Sequence, residues 1–294
     1  MGKIKKLFTL FGLTRYHCKQ LFSSKRWFVV LGIDIFLSFM SSFRMKEMAS
    51  YILETYHIPF STNIWDVPFS LLAIGSTESI SIYILIVAFI FLVGDVLLRD
   101  MQAGRLPMLT SRTQNRTTWF VSAIPAIFLS AFVFLILTFV VNLGIALFFL
   151  PRSNSWSLFL TSKTNPIVGL RSYNFIPGSP PSPIPFFFGV IGYLTGALLS
   201  IALFSIVASL IFKKTFAVYL PAAWLMLDLS MLLRVLSYPG AGRFFFTTQL
   251  AYMAHYQYPS IYPFPVIASV IVFCALCVIW IATGYYSVQH IDLL

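Results

Sequence analysis

Charged residues are scarce in this sequence. They make up 10% of the 294 residues, and only 9 of them are Asp or Glu, whereas a soluble domain carries about 25% charged residues. Hydrophobic residues reach 59%. So few charges exclude a water-facing surface over most of the chain, and the composition predicts a protein that faces lipid, with no room for a separate soluble domain.

Patterns for redox, metal or nucleotide chemistry are also missing. The 3 cysteines (Cys18, Cys274 and Cys277) form no regularly spaced set, and the 4 histidines have no companion Cys or carboxylate at ligand spacing. There is no glycine-rich phosphate-binding loop. We therefore predict no metal or cofactor site and no catalytic centre on this chain. Energy for any work on a solute must come from a partner or from a gradient.

Long apolar blocks dominate instead. A helix needs about 20 apolar residues to cross the hydrocarbon core. The predicted fold class is an all-α polytopic membrane protein, with a single transmembrane domain over residues 27 to 294. Its six predicted crossings cover residues 27 to 43, 79 to 98, 119 to 150, 184 to 212, 216 to 237 and 264 to 288. The third and fourth exceed a bilayer, and Pro125 predicts a kink in the third.

Residues 1 to 26 precede the first apolar block. Apolar side chains recur among basic ones at roughly helical spacing, which predicts a helix lying in the inner membrane interface; a flexible basic tail is the alternative. The residues of this stripe are Ile4, Leu7, Phe8, Phe11, Cys18 and Phe22. No small-residue cleavage motif follows the first block, so we predict that the block stays as a membrane anchor.

The distribution of basic residues predicts the orientation of the chain. Most of the 20 Lys and Arg residues fall in short segments that share one face if the N-terminus is inside. This bias predicts a multi-pass plasma-membrane protein with both termini in the cytoplasm. Orientation also explains the net charge of +11 better than nucleic-acid binding does.

Two segments are predicted to lie outside. The stretch "PGSPPSPIP" (177 to 185) should form a stiff extended connector rather than a regular helix. The aromatic segment 238 to 263 suits short helices that dip into the outer leaflet.

Four ionisable residues lie within the predicted crossings. Asp95 stands one helical turn before Arg99, which predicts a local ion pair, and Arg234 is close enough to the outer interface to snorkel. Asp34 and Asp228 lie well inside the hydrocarbon region. Each either lines a solute path or subunit contact, or is a hydrogen-bonded carboxyl in helix packing. The sequence leaves both readings open.

The loop between the second and third crossings, residues 97 to 120, is short, basic and polar, and Gly104 and Pro107 should break any continuous helix in it. The loop can present a short helix to a soluble partner. Its basic charge, taken alone, is explained equally well by the orientation of the chain in the membrane. The loop resembles that of the ABC-2 type permeases, the membrane subunits of a class of ABC exporters. The matching residues are Asp100, Gly104, Leu106, Leu109, Ser111 and Arg116.

The chain departs from the ABC-2 pattern at a few positions. Arg105 stands where Ser or Thr is common, the proline after the hydroxyl residue is absent, and a closing lysine is missing. The wider plan is similar to that family, which has an N-terminal interfacial helix and six crossings with both ends inside.

The resemblance implies a half-transporter of a bacterial membrane. Two permeases would associate, and residues 100 to 116, including Arg105 and Arg112, would couple each to a separate ATPase that holds ATP and Mg²⁺. Asp34 and Asp228 would lie near the central path. The implied solute is apolar or amphipathic: a peptide, a drug or a lipid-like molecule.

Two other hypotheses remain. The first is a secondary transporter that uses an ion gradient, with Asp34 or Asp228 as the proton carrier. The second is a non-transporting membrane subunit for immunity or sensing, whose outer aromatic segments bind a ligand.

Overall fold

The computed structural model describes the backbone of residues 2–56, 62–70, 77–113, 115–157, 182–235, 245–250 and 265–290. It describes the side chains of the same residues apart from 2–9, 52, 56, 70, 77–80, 110–113 and 232–235. Within these ranges the chain is helical and contains no strand, which confirms the predicted all-α class.

The helices are numbered in chain order. They are α1 (Gly2–Phe22), α2 (Arg26–Tyr56), α3 (Asp66–Ser70), α4 (Thr77–Val93), α5 (Val96–Gln102), α6 (Leu106–Thr113), α7 (Arg116–Phe149), α8 (Pro183–Phe212), α9 (Leu220–Val235), α10 (Phe246–Leu250) and α11 (Val266–Gln289). A 3-10 turn, Thr215–Tyr219, precedes α9.

Five helical segments are long and apolar enough to cross a membrane: Arg26–Thr55, Ser81–Gln102, Arg116–Phe149, Pro183–Phe212 and Val266–Gln289. They coincide with five of the six predicted crossings. The remaining one, predicted at 216 to 237, is the 3-10 turn followed by the 16 residues of α9. The described residues of α9 rise about 24 Å, and the sixth crossing stays a prediction.

One predicted feature of the long helices needs correction. The first crossing was predicted to end at residue 43, yet α2 continues to Tyr56. Charged residues such as Arg44 and Lys46 end the apolar run but not the helix, because no Gly or Pro interrupts it there. Pro125 lies inside α7, whose 34 residues rise about 51 Å, and the kink there stays a prediction.

The core lies where α4, α5, α7 and α8 pack together. Phe89 on α4 packs against Phe134 on α7, with ring centroids 5.2 Å apart. The second long segment is interrupted at Gly94 and Asp95, between α4 and α5. A Cβ at Gly94 would lie 2.5 Å from both Ser205 Oγ and Val218 Cγ1. Only glycine allows this close approach of the interruption to α8 and the 3-10 turn.

Apolar side chains also cover outward faces of the bundle. Phe28, Ile35 and Phe36 on α2 are exposed, and so are Ile271 and Val278 on α11. Large exposed apolar surface on long helices is what contact with lipid requires.

The N-terminal segment is a helix, as predicted, and the face that it buries against the bundle is a different one from the predicted interfacial stripe. Leu13, His17 and Leu21 are buried at i, i+4 and i+8, and the Thr14 hydroxyl donates to the Ser122 carbonyl of α7 at 3.1 Å. Phe11 and Phe22 of the stripe are exposed and Cys18 is half-buried. The side chains of Ile4, Leu7 and Phe8 lie outside the described residues.

Two loop segments meet at the opposite end of the bundle. Asn63 Nδ2 donates to the Ser155 carbonyl at 2.8 Å, and the Trp65 indole donates to the Ser153 carbonyl at 2.8 Å. These bonds fasten residues 62–70 onto residues 151–157.

The predicted outer segments are described in part. α8 begins at Pro183, so the end of the "PGSPPSPIP" stretch is helical, contrary to prediction. Proline fits the first helical turn, where its missing N–H has no partner to lose. Residues 177 to 181 lie outside the described residues, as does most of the segment 238 to 263, of which the described part includes the short helix α10.

Candidate functional site

We call the end of the bundle formed by α1, α6 and the turn between α8 and α9 the inner end, because the charge pattern predicts that it faces the cytoplasm. Here the carboxylate of Asp100, on α5, is fully buried. It accepts hydrogen bonds from Tyr16 Oη (2.9 Å), Gln20 Nε2 (3.2 Å) and Trp119 Nε1 (3.3 Å). Burial of a carboxylate without hydrogen-bond partners costs free energy, and here three donors from two other helices satisfy it.

His17 lies beside this carboxylate, with Nδ1 4.0 Å from Asp100 Oδ2. Among the described residues, neither ring nitrogen has a hydrogen-bond partner. Burial lowers the pKa of His17, and the Asp100 charge opposes this effect. The contact with His17 is longer than the three hydrogen bonds of Asp100, so these bonds hold the carboxylate in place.

Gly104 ends α5 in a Schellman motif. Its φ is +64°, in the left-handed region that favours glycine. The Gly104 N–H donates to the Met101 carbonyl (3.0 Å), and the Arg105 N–H donates to the Asp100 carbonyl (3.0 Å). These are the two hydrogen bonds that define the motif. The helix break predicted from Gly104 and Pro107 is confirmed, since α5 ends at Gln102 and α6 begins at Leu106.

The loop turns one set of side chains outward and another inward. Leu106 is buried and Leu109 is half-buried, both against the core. We define the inner loop surface as the exposed residues of this segment, which are Gln102, Ala103, Gly104, Arg105, Pro107 and Met108. Met108 is 67% exposed. The exposed side of the loop is thus basic and apolar, and its leucine side chains pack against the core.

The residues predicted to couple therefore divide into separate groups. Asp100 and Leu106 are buried inside, and Gly104 and Arg105 lie on the inner loop surface. Arg116 is half-buried at the start of α7, next to Asn115, whose side chain caps that helix by accepting from the Thr117 N–H at 2.9 Å. The side chains of Ser111 and Arg112 lie outside the described residues.

The predicted ion pair between Asp95 and Arg99 is confirmed, with Arg99 Nε 3.1 Å from Asp95 Oδ1. A second partner was missed. Arg26, at the start of α2, donates to both Asp95 oxygens at 2.8 and 2.9 Å, and to the Phe91 carbonyl at 2.7 Å. That carbonyl lies in the turn before the interruption between α4 and α5. Arg26 thus stabilises the broken segment and joins it to α2.

Asp34 is buried between α2 and α7. Asn142 Nδ2 approaches Asp34 Oδ1 at 3.4 Å and donates more closely to the Thr138 carbonyl, at 2.7 Å. Asp34 Oδ2 and Asn142 Oδ1 have no hydrogen-bond partner among the described residues. The location of Asp34 agrees with helix packing inside one chain, and its part in a solute path remains a hypothesis.

Asp228 has a different environment from Asp34. It is half-buried on α9, and its Oδ2 accepts from the backbone N–H of Thr247 on α10 at 2.7 Å. The two aspartates therefore contact different helices. The side chain of Arg234 lies outside the described residues.

Sequence reasoning missed Tyr16, Gln20, Trp119 and Arg26. One signal was present: Tyr16 and Gln20 are four residues apart, and so are His17 and Leu21, which places a mixed polar and apolar face on α1. The opposite face, with Phe11 and Phe22, was predicted to lie in the membrane interface, and the packing of α1 on the bundle was not predicted.

No protein-family model matches the chain, and comparisons with curated proteins and with solved structures give no match. The family resemblance therefore remains a prediction.

Proposed function

We propose that this chain is the membrane-spanning permease subunit of an ATP-driven exporter of the ABC-2 type, in a bacterial plasma membrane with both termini in the cytoplasm. The observation that carries the proposal is the inner loop surface, a short exposed segment between two long apolar helices whose base is held in place by Asp100. This arrangement suits the docking of a cytoplasmic protein.

Rigid attachment is what a coupling loop needs. The Schellman motif sets the direction of the chain after α5, and the Asp100 hydrogen bonds join the end of α5 to α1 and α7. A displacement of the loop would therefore move the ends of these helices together, because a capped and hydrogen-bonded segment resists local deformation. Closure of an ATPase against the loop would in this way move the transmembrane helices.

The proposed partners follow from this role. The cytoplasmic ATPase subunit holds ATP and Mg²⁺, a second permease completes the path, and lipid surrounds the apolar faces; nucleic acid is no partner. The solute is apolar or amphipathic.

The test measures ATP hydrolysis by the reconstituted permease and ATPase complex. Arg105→Ala with Met108→Ala removes the charge and the apolar side chain that the loop presents, and should lower permease-dependent hydrolysis about tenfold, as loss of a few interface contacts does. The matched control is Arg152→Ala with Phe148→Ala, an exposed pair at the other end of the bundle, which should have no effect.

Other outcomes favour the other hypotheses. Transport that continues without ATP and stops when the proton gradient is collapsed would indicate a secondary transporter. Ligand binding with no flux in sealed vesicles would indicate an immunity or sensor subunit. Equal hydrolysis by the loop variant and the control variant would contradict the coupling role of the loop.

A further inference from the structure

A cavity of about 290 Å³ lies between α8, α9, α10 and α11. Its walls include one aromatic ring from each helix, and we call these four residues the aromatic box: Phe204, Trp224, Phe246 and Trp280. Ser200 adds one hydroxyl, which already donates to the Ala197 carbonyl at 2.8 Å. The volume approaches that of ligand sites, about 300 to 1,000 Å³, which are likewise mostly apolar.

The rings of the aromatic box contact one another in sequence. Phe204 stacks on Trp280 with centroids 4.2 Å apart, Phe204 meets Trp224 edge to face at 6.2 Å, and Trp224 meets Phe246 at 5.0 Å. Phe204 and Trp280 cover one face of each other by stacking, which leaves their outer faces for a ligand. Aromatic faces carry negative electrostatic potential and favour a cation, and quaternary ammonium groups are bound by cages of several rings.

A carboxylate lies one helical turn from a ring of the aromatic box. Asp228 follows Trp224 by four residues on α9, so the two side chains share a helix face. Asp228 Oδ2 also accepts from the N–H of Thr247, the neighbour of Phe246, at 2.7 Å. In the described part of the chain, no Lys or Arg forms an ion pair with Asp228. Its charge therefore complements a cationic ligand in the box.

The box is open on one side. Trp224 is exposed and Trp280 half-buried, whereas Phe246 and Ser200 are buried. The exposed side continues into the apolar outward face of α9, which carries Leu227 one helical turn from Trp224. A ligand that enters from this side must have apolar groups as well as its charge.

We propose that the aromatic box and Asp228 bind an amphipathic organic cation, with the charged centre against the rings and the carboxylate and its apolar groups toward the open side. The inference that this cation is the exported solute rests on the proposed function. The inference that the protein binds the cation does not.

The decisive measurement compares two probes of the same shape on the unmodified protein in lipid nanodiscs. Benzyltrimethylammonium carries the charge, and neopentylbenzene replaces its nitrogen by carbon. After subtraction of partitioning into empty nanodiscs, calorimetry should show that the cation binds about tenfold more tightly than the carbon analogue. Equal binding of the two probes would overturn the proposal, because an apolar cavity alone does not distinguish them.

Two variants assign the binding to this site. Phe204→Leu removes an aromatic face but keeps an apolar side chain, and Asp228→Asn removes the charge but keeps an acceptor for the Thr247 N–H. Each should weaken cation binding about fivefold to tenfold, and Phe148→Leu, an exposed aromatic on α7, should not. Thermal unfolding checks that each variant is folded.

Unchanged affinity in both folded variants would place any cation binding elsewhere and refute the site. If the probe comparison and the variants both support cation binding, but the protein shows no ATP-driven export, the binding site is confirmed and the proposed function is contradicted.

Discussion

The Arg26 guanidinium and the Asp95 carboxylate form two parallel hydrogen bonds, with Nη1 to Oδ1 at 2.8 Å and Nη2 to Oδ2 at 2.9 Å. The pair joins the start of α2 to the interruption between α4 and α5, and the guanidinium carbon also lies 4.7 Å from the centre of the Phe91 ring. This two-pronged geometry suits arginine and cannot be reproduced by lysine.

Arg26→Ala should lower the free energy of unfolding by about 2 to 3 kcal/mol, because it leaves the Asp95 carboxylate with one cation in place of two. Arg26→Lys should recover less than half of that loss. Unfolding in mixed detergent micelles measures the difference. Arg15→Ala, an exposed arginine of α1, is the control. Equal stability of the Arg26→Ala and Arg15→Ala proteins would contradict a structural role for the pair.

Gly104→Ala and Gly12→Ala should change stability in opposite directions. Neither site has an atom within 4 Å of an added Cβ, but Gly104 has a φ of +64°, whereas Gly12 lies in the helix α1. The left-handed backbone should cost Gly104→Ala about 1 kcal/mol, and Gly12→Ala should gain about 0.5 to 1 kcal/mol of helix stability. Thermal unfolding of both variants tests the assignment, and a shift of the same sign in both would refute it.

Gly284→Ala should be destabilising because α11 lies close against α7 at this point. A Cβ there would overlap the Phe120 ring, with Cε2 at 2.7 Å and Cε1 at 3.0 Å. We expect a loss of about 1 to 3 kcal/mol, typical of overpacking. Phe120→Leu should restore part of it in the double variant, which a double-mutant cycle measures. Gly192→Ala in α8, with open space at the Cβ, is the control, and additive effects of the two substitutions would contradict the contact.

The pH dependence of stability should report on Asp66. This carboxyl is fully buried in α3, where it accepts from the Asn63 N–H (2.6 Å) and the Ser157 hydroxyl. Burial raises the pKa of Asp66 to about 7. The folded protein therefore keeps a proton that the unfolded chain releases above about pH 4.

This stabilisation is fully present below pH 4 and is lost as the pH rises toward 7, with a slope of about 1.4 kcal/mol per pH unit at most. Asp66→Asn should remove that slope, because it cannot ionise. The comparison of the two proteins cancels the contributions of the other titratable groups. Parallel stability curves between pH 4 and 7 would refute the assignment.

The crossings could be predicted because lipid selects for long apolar runs, and five of the six correspond to long apolar helices. Their ends were harder to place. α2 extends 13 residues past its predicted end because helix termination depends on backbone and cap residues rather than on polarity. For the crossing predicted at 216 to 237, hydropathy did not show that its first residues form a 3-10 turn ahead of α9.

The inner loop was predictable in outline from Gly104 and Pro107, since these residues act on the backbone locally. The partners of Asp100 were not, because Tyr16, Gln20 and Trp119 come from segments up to 84 residues away along the chain. The Asp95 and Arg99 pair was found since it lies within one helical turn, and Arg26 was missed since it comes from another helix.

The sequence by itself determined the helical class, the positions of the long apolar helices and the helix break at Gly104, because hydropathy, glycine and proline act over one helix or one turn. The tertiary structure alone decided which face of α1 is buried, that Asp34 contacts α7 while Asp228 contacts α10, and that four aromatic rings surround one cavity. These features depend on how helices pack, and a helix surface carrying apolar residues on several sides does not specify its neighbour. Such contacts are set by side-chain shape and hydrogen-bond satisfaction in three dimensions.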